Sequence, residues 1–173
     1  DSVKSRGLGD VYKRQGHLEQ FNPAIRKIRK SNCKPQFIEV HRLCQFNPRA
    51  NDVDVVLDLM IHDIDIVLSL INKPIKNIEV SGKKILTKLT DIANVRIKFE
   101  DNIVANLTAS RISTKNERKM RIFSDSSYYS IDFINNKLKQ VVKDKKNNFK
   151  IKNFTFKKTD VLNDEINNFI KTC

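Results

Sequence analysis

The amino-acid sequence predicts an α+β domain: an open, mostly antiparallel sheet of about six strands, with helices packed on one face of the sheet. Two observations lead to this prediction. A helix-length run that is almost wholly apolar covers residues 55–71, and from residue 77 to residue 156 apolar and polar residues alternate in short segments. The chain has 173 residues, 39% of them hydrophobic, which is enough to bury one core.

Residues 1–15 share neither the periodicity nor the composition of the remaining chain. The segment "SRGLGDVYKRQ", residues 5–15, resembles one reading frame of a common transposase-based sequencing adapter, and this makes residues 1–4 suspect as well. We therefore predict that residues 1–15 are a non-native sequencing scar. The domain proper then spans residues 16–173 and is expected to be truncated at both ends.

A helix and a strand are predicted next. In "FNPAIRKIRKSN", residues 21–32, Asn22 and Pro23 are a helix-start signal, and Ala and Ile residues form a short apolar face. The segment "PQFIEVHRLCQF", residues 35–46, opens with a proline and mixes apolar residues with single polar ones, which indicates a strand. Residues 47–54 then form a loop that leads into the apolar run.

The apolar run "VVLDLMIHDIDIVLSLI" carries charge although its composition is that of a buried helix. At about 100° per residue, four of its five polar side chains fall within an arc of roughly 60° on one helix face. This polar stripe consists of Asp58, His62, Asp65 and Ser69. Burying unpaired charge costs several kcal/mol, so the stripe should line a cleft or be paired internally. Asp63, about 140° from Asp58 around the helix, is expected to lie away from the stripe.

Seven segments of period two follow the helix, and Asp, Asn, Gly or Lys pairs mark most of the joints between them. They are residues 77–86, 92–100, 102–111, 119–126, 128–134, 137–143 and 148–156. This pattern predicts a meander of antiparallel strands. The closing segment, residues 160–173, predicts a helix with Asp160 as its N-cap, and its apolar stripe continues to the end of the chain.

Composition narrows the class of protein. No run approaches the roughly 18 uncharged apolar residues of a membrane span, because Asp58 interrupts the best candidate. Cys33, Cys44 and Cys173 are odd in number and lack C-x-x-C spacing, so neither a disulfide framework nor a zinc site is predicted. We expect no bound metal and a reducing, cytoplasmic location.

The formal net charge of +13 raises the question of a nucleic-acid partner, since basic surfaces bind phosphate. The strongest candidate is residues 137–158, with nine lysines, one aspartate and three phenylalanines. In a strand, "FKIK" places Phe149 and Ile151 on one face and the lysines on the other, so the ring is expected in the core rather than as a stacking platform. A basic nucleic-acid-binding module is the alternative interpretation.

The motifs, in this order, resemble a known family. The segments "GHLEQFNPAIRKI", "PQFIEVHR", "NPRANDVDVVLDLMIHDIDIVLSLI" and "LNDEINNFI" follow one another as in the C-terminal half of the glucose-fructose oxidoreductase and inositol dehydrogenase family (Gfo/Idh/MocA). The resemblance covers residues 16–173. Its most specific part is D-x-x-x-H at Asp58 and His62, followed by Asp65. Gln20 departs from the Arg that relatives usually have.

This resemblance implies an NAD(P)-dependent dehydrogenase of sugars, cyclitols or nucleotide-linked sugars. His62 would be the general base that removes the proton of the substrate hydroxyl, and Asp58 would orient and polarise it. The family's glycine-rich loop and E-K-P lysine belong to an N-terminal Rossmann domain, and neither motif stands in this sequence. NAD or NADP would therefore be bound mainly by that missing domain, and the fragment is expected to be inactive alone.

Three basic residues precede the catalytic helix in the sequence. His41, Arg42 and Arg49 are candidates to bind a phosphate or hydroxyl-rich substrate, and solvated loop charges are the simpler interpretation. The helix motif resembles the subset of the family that oxidises nucleotide-activated amino sugars. In relatives the open face of the sheet is the subunit interface, so a homo-oligomer through that face is expected.

A rival enzyme class takes His62 and Asp63 as the doublet of an HD-type metal phosphohydrolase. That class is all-helical and needs further His and Asp ligands on other helices. Here the downstream half is predicted as strands, and His17 and His41 precede the helix. The dehydrogenase interpretation is preferred for this reason.

Overall fold

The structure, a computed structural model, describes residues 18–48, 53–144 and 148–157. A short 3-10 turn, Leu18–Phe21, precedes the first helix, and a π-helical turn, Val56–Met60, runs directly into the second. The helices are α1 (Pro23–Lys30) and α2 (Ile61–Leu70). The strands are β1 (Phe37–Leu43), β2 (Ile75–Lys83), β3 (Ile92–Phe99), β4 (Val104–Ser110), β5 (Glu117–Phe123), β6 (Ser127–Asp132), β7 (Lys137–Lys143) and β8 (Phe149–Thr155).

Helix α1 begins where the sequence predicts it. The Asn22 side chain accepts a hydrogen bond of 2.9 Å from the backbone N–H of Ala24, and Pro23 occupies the first helical position. Ala24, Ile25 and Ile28 are buried, so the predicted apolar face is confirmed.

All eight described strands belong to one sheet, in the order β2-β3-β4-β1-β5-β6-β7-β8. Strand β1 lies inside the sheet, parallel to β4 and antiparallel to β5, and the other described pairs are antiparallel. The open, mostly antiparallel sheet is confirmed, but the predicted number of about six strands is too low. The strand predicted at residues 35–46 inserts into the middle of the meander, and the segments at both edges pair as well.

One face of the sheet forms the hydrophobic core. Val40 of β1 lies in register between Leu107 of β4 and Met120 of β5, and these three residues are at most 1% exposed. The same row continues through Ile131 in β6 and Leu138 in β7, which are also buried. Apolar side chains of both helices join this cluster. Each large aliphatic side chain buried here contributes about 1.5–3 kcal/mol to folding.

The helices contact the strands between the two edges of the sheet. The Ser31 hydroxyl, just after α1, lies 3.1 Å from the Tyr129 hydroxyl in β6, and Asp63 of α2 pairs with Arg42 in β1. At the edges, every residue of β2 is exposed, and β8 is exposed apart from Phe154. The prediction that helices pack on one face of the sheet is therefore not confirmed.

The alternation predicted for β8 is correct, but the burial predicted for it is wrong. Phe149 and Ile151 are 71% and 58% exposed. Phe154 points to the other face and is half-buried, with the Lys27 ammonium 4.2 Å from the centre of its ring. Alternation decides the face to which a side chain points. Burial also requires a neighbouring layer of protein, and such a layer covers an edge strand less than a central one.

Several predictions fall on residues that the structure does not describe. They are the scar at residues 1–15, Arg49, and the C-terminal helix with Asp160 at its start. Within the described part of the chain, no helix has the length and apolar character needed to cross a membrane.

Candidate active site

The helix that carries the predicted catalytic residues changes geometry along its length. Asp54 caps its start, because Oδ1 accepts hydrogen bonds of 2.9 and 3.0 Å from the backbone N–H groups of Val56 and Leu57. The first turn, Val56–Met60, is π-helical and closes with the N–H of Ile61 bonded to the Val56 carbonyl. The prediction of one uniform α-helix is thus wrong in the first turn, since five apolar-rich positions do not distinguish a π-turn from an α-turn.

Asp58 and His62 lie on either side of this change of geometry. Asp58 belongs to the π-turn and His62 is the second residue of α2, so about one turn separates them. Both residues are half-buried, and the Nδ1 atom of His62 is shielded from solvent. A π-turn contains more residues than an α-turn, so positions four apart still lie near one face of the helix. The structure therefore places the two residues together on a partly open face.

Cys44 lies close to this face. Burial raises the pKa of the Cys44 thiol, and the charge of Asp58 raises it further, while Arg111 and Arg42 act in the opposite direction. The thiol next to Asp58 is thus held in its neutral form. Nothing in the sequence pattern indicated this electrostatic interaction, because Cys44 directly follows β1 and Asp58 belongs to another element.

The C-terminal half of the polar stripe is bound by residues from the N-terminal part of the chain. The side-chain amide of Gln20 donates hydrogen bonds to the Asp65 carboxylate and, at 3.2 Å, to the Asp65 carbonyl. Arg29 of α1 donates to the Ser69 hydroxyl at 2.7 Å, and that hydroxyl donates to the Ile66 carbonyl at 2.7 Å. The departure at Gln20 therefore has a structural role, which is to hold Asp65 and so fasten α2 to the segment before α1.

Arg42 and Asp63 form a buried ion pair. The Nε and Nη2 atoms of Arg42 each donate a hydrogen bond of 2.7 Å to a different oxygen of Asp63, and the residues are 6% and 2% exposed. Burial alone would lower the pKa of Arg42, but the hydrogen bonds and charge of Asp63 outweigh burial and raise it. Asp63 thus has a partner that its position on the helix did not suggest. The Arg42 guanidinium therefore points to α2 rather than to solvent, and its predicted contact with substrate has no geometric support.

His41 lies on the opposite face of the sheet from α2. Successive residues of a strand point to opposite faces, and Arg42 points to the helix. The two ring nitrogens of His41 lie 3.7 Å from carboxylate oxygens of Glu39 and Glu117 on the open face. The structure therefore does not bring His41 to the helix face that carries Asp58 and His62, and the predicted contact of His41 with substrate has no geometric support.

Two residues that the sequence pattern did not indicate hold the start of the helix that carries Asp58 and His62. Arg111, directly after β4 and 4% exposed, donates a hydrogen bond of 2.6 Å from Nη2 to the carbonyl of Val53. The carbonyl of Thr90 accepts a hydrogen bond of 3.0 Å from the N–H of Val55. The end of β4 and the loop between β2 and β3 thus fix the backbone just before the π-turn.

Asp91 organises the loop between β2 and β3 and is fully buried. Its Oδ2 atom accepts hydrogen bonds from the backbone N–H groups of Ile85 (2.7 Å), Leu86 (2.7 Å) and Thr87 (2.9 Å). Its Oδ1 atom accepts one of 2.6 Å from the Thr87 hydroxyl. Burial alone would raise the pKa of Asp91, but these hydrogen bonds outweigh burial and hold the pKa well below its usual range. The loop that supports the start of the Asp58 and His62 helix is thus arranged around one carboxylate.

The described residues offer no set of three or more His, Cys, Asp or Glu side chains that could hold a metal ion. In the doublet of His62 and Asp63, the carboxylate is engaged with Arg42. The domain is also built on a large sheet, unlike the all-helical class in which that doublet binds metal.

Comparison with known proteins finds relatives that resemble this chain in both sequence and fold. A model of the GFO/IDH/MocA C-terminal domain matches residues 1–129. UDP-N-acetylglucosamine 3-dehydrogenase from Acidithiobacillus ferrooxidans is 39% identical over 124 residues, which are 71% of this chain and 40% of the relative. A solved structure of UDP-N-acetylglucosamine 3-dehydrogenase from the same organism has a TM-score of 0.84 at 34% identity, over 91% of this chain and 50% of the solved one.

A more distant solved structure, levoglucosan dehydrogenase in complex with NADH, has a TM-score of 0.69 at 12% identity, over 81% of this chain and 46% of its own. That likeness shows the fold alone. The chain spans 40% of the curated relative and 50% of the solved chain from Acidithiobacillus ferrooxidans. Given the matched domain model and a relative that is 39% identical, the chain belongs to the GFO/IDH/MocA family, and the part matched is that family's C-terminal domain.

Proposed function

We propose that this chain is the substrate-binding and catalytic half of an NAD(P)-dependent dehydrogenase that acts on a hydroxyl of a sugar or nucleotide-linked sugar. The observation that carries the proposal is the position of Asp58 and His62, one turn apart on a half-buried helix face. An ionisable pair at a partly open surface, on a helix whose other charged side chains are engaged with Arg42 and Gln20, is typical of a reacting site. Membership of the family supports this choice of chemistry.

His62 acts as the general base in this proposal. Oxidation of an alcohol to a ketone removes a hydride from carbon and a proton from oxygen, and a ring nitrogen of His62 accepts the proton. A nicotinamide cofactor, if bound next to the substrate carbon, would supply the hydride acceptor. Asp58 stabilises the imidazolium that forms and orients the ring. The half-open face then lets the proton pass to solvent.

The described residues do not form a dinucleotide-binding site by themselves. Gly82 is the one glycine among them, and it lies within β2 rather than in a loop at a helix N-terminus. The described part of the chain therefore lacks the glycine-rich cradle that holds a pyrophosphate. We infer that NAD or NADP is bound mainly by an N-terminal domain outside this chain, and that the chain alone is inactive.

The substrate proposed is a nucleotide-activated amino sugar. A relative that is 39% identical carries the name UDP-N-acetylglucosamine 3-dehydrogenase, which supports this class. We infer that Arg49, which precedes Asp58 and His62 in the sequence, helps to bind the phosphates. A cytoplasmic location is proposed with it, since Cys33 and Cys44 are free thiols.

We also infer that two copies of the chain associate through the open face of the sheet. One cross-strand row on this face is apolar through six neighbouring strands. It consists of Val104, Phe37, Phe123, Tyr128, Val141 and Ile151. The ring centres of Phe123 and Phe37 are 5.6 Å apart, and those of Phe123 and Tyr128 are 5.0 Å apart. Because Phe123 and Ile151 are 37% and 58% exposed, the row is an apolar surface that a second copy would cover.

The proposed function is tested with the full-length protein and UDP-N-acetylglucosamine, with NAD⁺ and NADP⁺ supplied in turn. We expect reduced nicotinamide to form, and the matched control is N-acetylglucosamine without the nucleotide, which should react far more slowly. If no sugar or nucleotide-linked sugar reduces either cofactor, the dehydrogenase proposal is wrong. The alternative, nucleic-acid binding, has no support from the comparisons, and salt-dependent binding of single strands by an inactive protein would revive it.

A further inference from the structure

We propose that the buried ion pair of Arg42 and Asp63 is a positioning device for the general base. Asp63 is the next residue after His62, and the pair joins this point of α2 to the inside of the sheet. The pair sets the rotation of the helix, so that the imidazole meets the substrate hydroxyl. This inference rests on the proposed function of His62, and neither Arg42 nor Asp63 is assigned a contact with substrate.

The pair is anchored rigidly at its sheet end. Arg42 projects from β1, which is hydrogen-bonded to β4 on one side and to β5 on the other, so the Arg42 backbone is held by two ladders. The planar guanidinium donates two parallel hydrogen bonds of 2.7 Å, which set both the distance and the direction of the Asp63 carboxylate. The apolar contacts under α2 are non-directional. Gln20 and Arg29 hold later positions of the helix, at Asp65 and Ser69. The bonds to Asp63 are thus the directional contacts next to His62.

The location of the pair along the helix supports a positioning role. The π-turn Val56–Met60 interrupts the α-helical hydrogen-bond pattern just before α2. The angular relation between Asp58 in the π-turn and His62 in α2 therefore depends on where the α-helix resumes. Asp63 lies in the first turn of α2, so its bond to Arg42 fixes the helix at the point where regular geometry begins.

The expected effect follows from helix dimensions. A side-chain atom lies about 5–6 Å from the helix axis, so a rotation of about 20° displaces it by roughly 2 Å. A misplacement of about 1 Å can lower the rate of a positioned reaction by about 10²-fold. Loss of the two parallel hydrogen bonds between Arg42 and Asp63 should thus reduce kcat by about 10- to 100-fold, although the reacting groups themselves are unchanged.

A second ion pair provides a matched control. Arg118 of β5 lies in register with Arg42 and pairs with Glu19 in the 3-10 turn. The two arginines therefore stand side by side in the sheet, and each binds a carboxylate from a different helical segment. The 3-10 turn of Glu19 contacts α2, and the charge of Glu19 also acts on Arg42. Removal of the Arg118 pair nevertheless leaves both hydrogen bonds between Arg42 and Asp63 in place, so the rotation of α2 should be kept.

The deciding variant replaces both charges, as Arg42→Met/Asp63→Leu, in the full-length protein. Exchange of a buried ion pair for apolar residues of similar size is often neutral or stabilising, so the fold should be kept. We expect a urea midpoint near that of the parent, a kcat about 10- to 100-fold lower, and an unchanged KM for the cofactor. The control Arg118→Met/Glu19→Leu should keep kcat within about twofold. A double variant at Arg42 and Asp63 with parental kcat would show that the pair is only structural.

Two further measurements keep the proposal testable if that variant does not fold or if the parent is not a dehydrogenase. Arg42→Lys keeps the charge but not the fork, and we expect about a tenfold loss of kcat, whereas parental kcat would overturn the proposal. Inactivity of the parent would overturn the proposed function alone. In that case the NMR signals of the His62 ring test the positioning role. One sharp set of signals in the parent, with broadened or multiple sets in Arg42→Lys, would support the proposal. Identical sharp sets in both proteins would refute it.

Discussion

Replacement of Asp91 by Asn should lower the free energy of unfolding by about 3 kcal/mol. The Asp91 carboxylate accepts three backbone hydrogen bonds and one from the Thr87 hydroxyl, at distances from 2.6 to 2.9 Å. A hydrogen bond to a charged group contributes about 1.5–3 kcal/mol and a neutral one about 0.5–1.5 kcal/mol, so loss of the charge costs roughly 1 kcal/mol per bond, less than additively. The amide has the same shape as the carboxylate, and packing is therefore retained.

The measurement is urea unfolding followed by circular dichroism, at neutral pH. The control is Asp101→Asn, because Asp101 is an exposed carboxylate paired with the exposed Lys73 and should change stability by less than about 0.5 kcal/mol. For a domain of this size, the loss at Asp91 corresponds to a fall in Tm of about 6–12 °C. A midpoint for Asp91→Asn equal to that of the control would refute the reasoning.

The pH dependence provides a second readout on the same residue. The pKa of Asp91 is lower in the folded chain than the value of about 3.9 expected when unfolded, so its charge stabilises the fold at all pH values above that unfolded value. This contribution is lost as the pH falls through the folded pKa. The difference in stability between the parent and Asp91→Asn should therefore be constant from about pH 6 to pH 8 and shrink below about pH 4. A difference that grows toward acid pH would contradict the assignment.

Three further substitutions test other parts of the account. Leu107→Ala should lower the free energy of unfolding in urea by about 2–5 kcal/mol, because this side chain is 1% exposed at the centre of the core. Leu68 is 43% exposed, so Leu68→Ala should lower it far less. Equal losses would mean that the core is wrongly located. Gln20→Ala should lower the free energy of unfolding by about 1 kcal/mol through loss of the hydrogen bond to Asp65, and Gln20→Arg should retain this bond. Unchanged stability of Gln20→Ala would show that Gln20 does not fasten α2. Phe123→Asp should convert the proposed oligomer to a monomer in sedimentation, and an unchanged mass would exclude the open face as the interface.

Local signals predicted the features whose causes are local. Helix α1 could be placed because Asn22 and Pro23 act on the backbone next to them. The faces of the strands followed from period two, but the burial of Phe149 did not, because it depends on whether another layer reaches the edge of the sheet. The strand order could not be predicted either, since period two does not say that β1 inserts between β4 and β5.

The sequence predicted the spacing of Asp58 and His62, but not the contacts that hold their helix in place. The spacing of Asp58 and His62 is a property of one helix, so the sequence alone places them together. The pairing of Arg42 with Asp63 joins residues 21 positions apart and depends on how α2 lies on β1. The same holds for Arg111, whose bond to a backbone carbonyl leaves no pattern in the sequence.

The central claim is that this chain supplies the general base of a sugar dehydrogenase, and the most direct test is kcat of the full-length enzyme with His62→Ala. Loss of a positioned base should lower kcat by about 10²- to 10⁴-fold and leave cofactor affinity nearly unchanged. Asp58→Asn should also lower kcat and move its pH profile, because the charge that stabilises the imidazolium is lost. Full turnover by His62→Ala, with parental affinity for substrate and cofactor, would contradict the account and make the polar face of this helix a structural feature only.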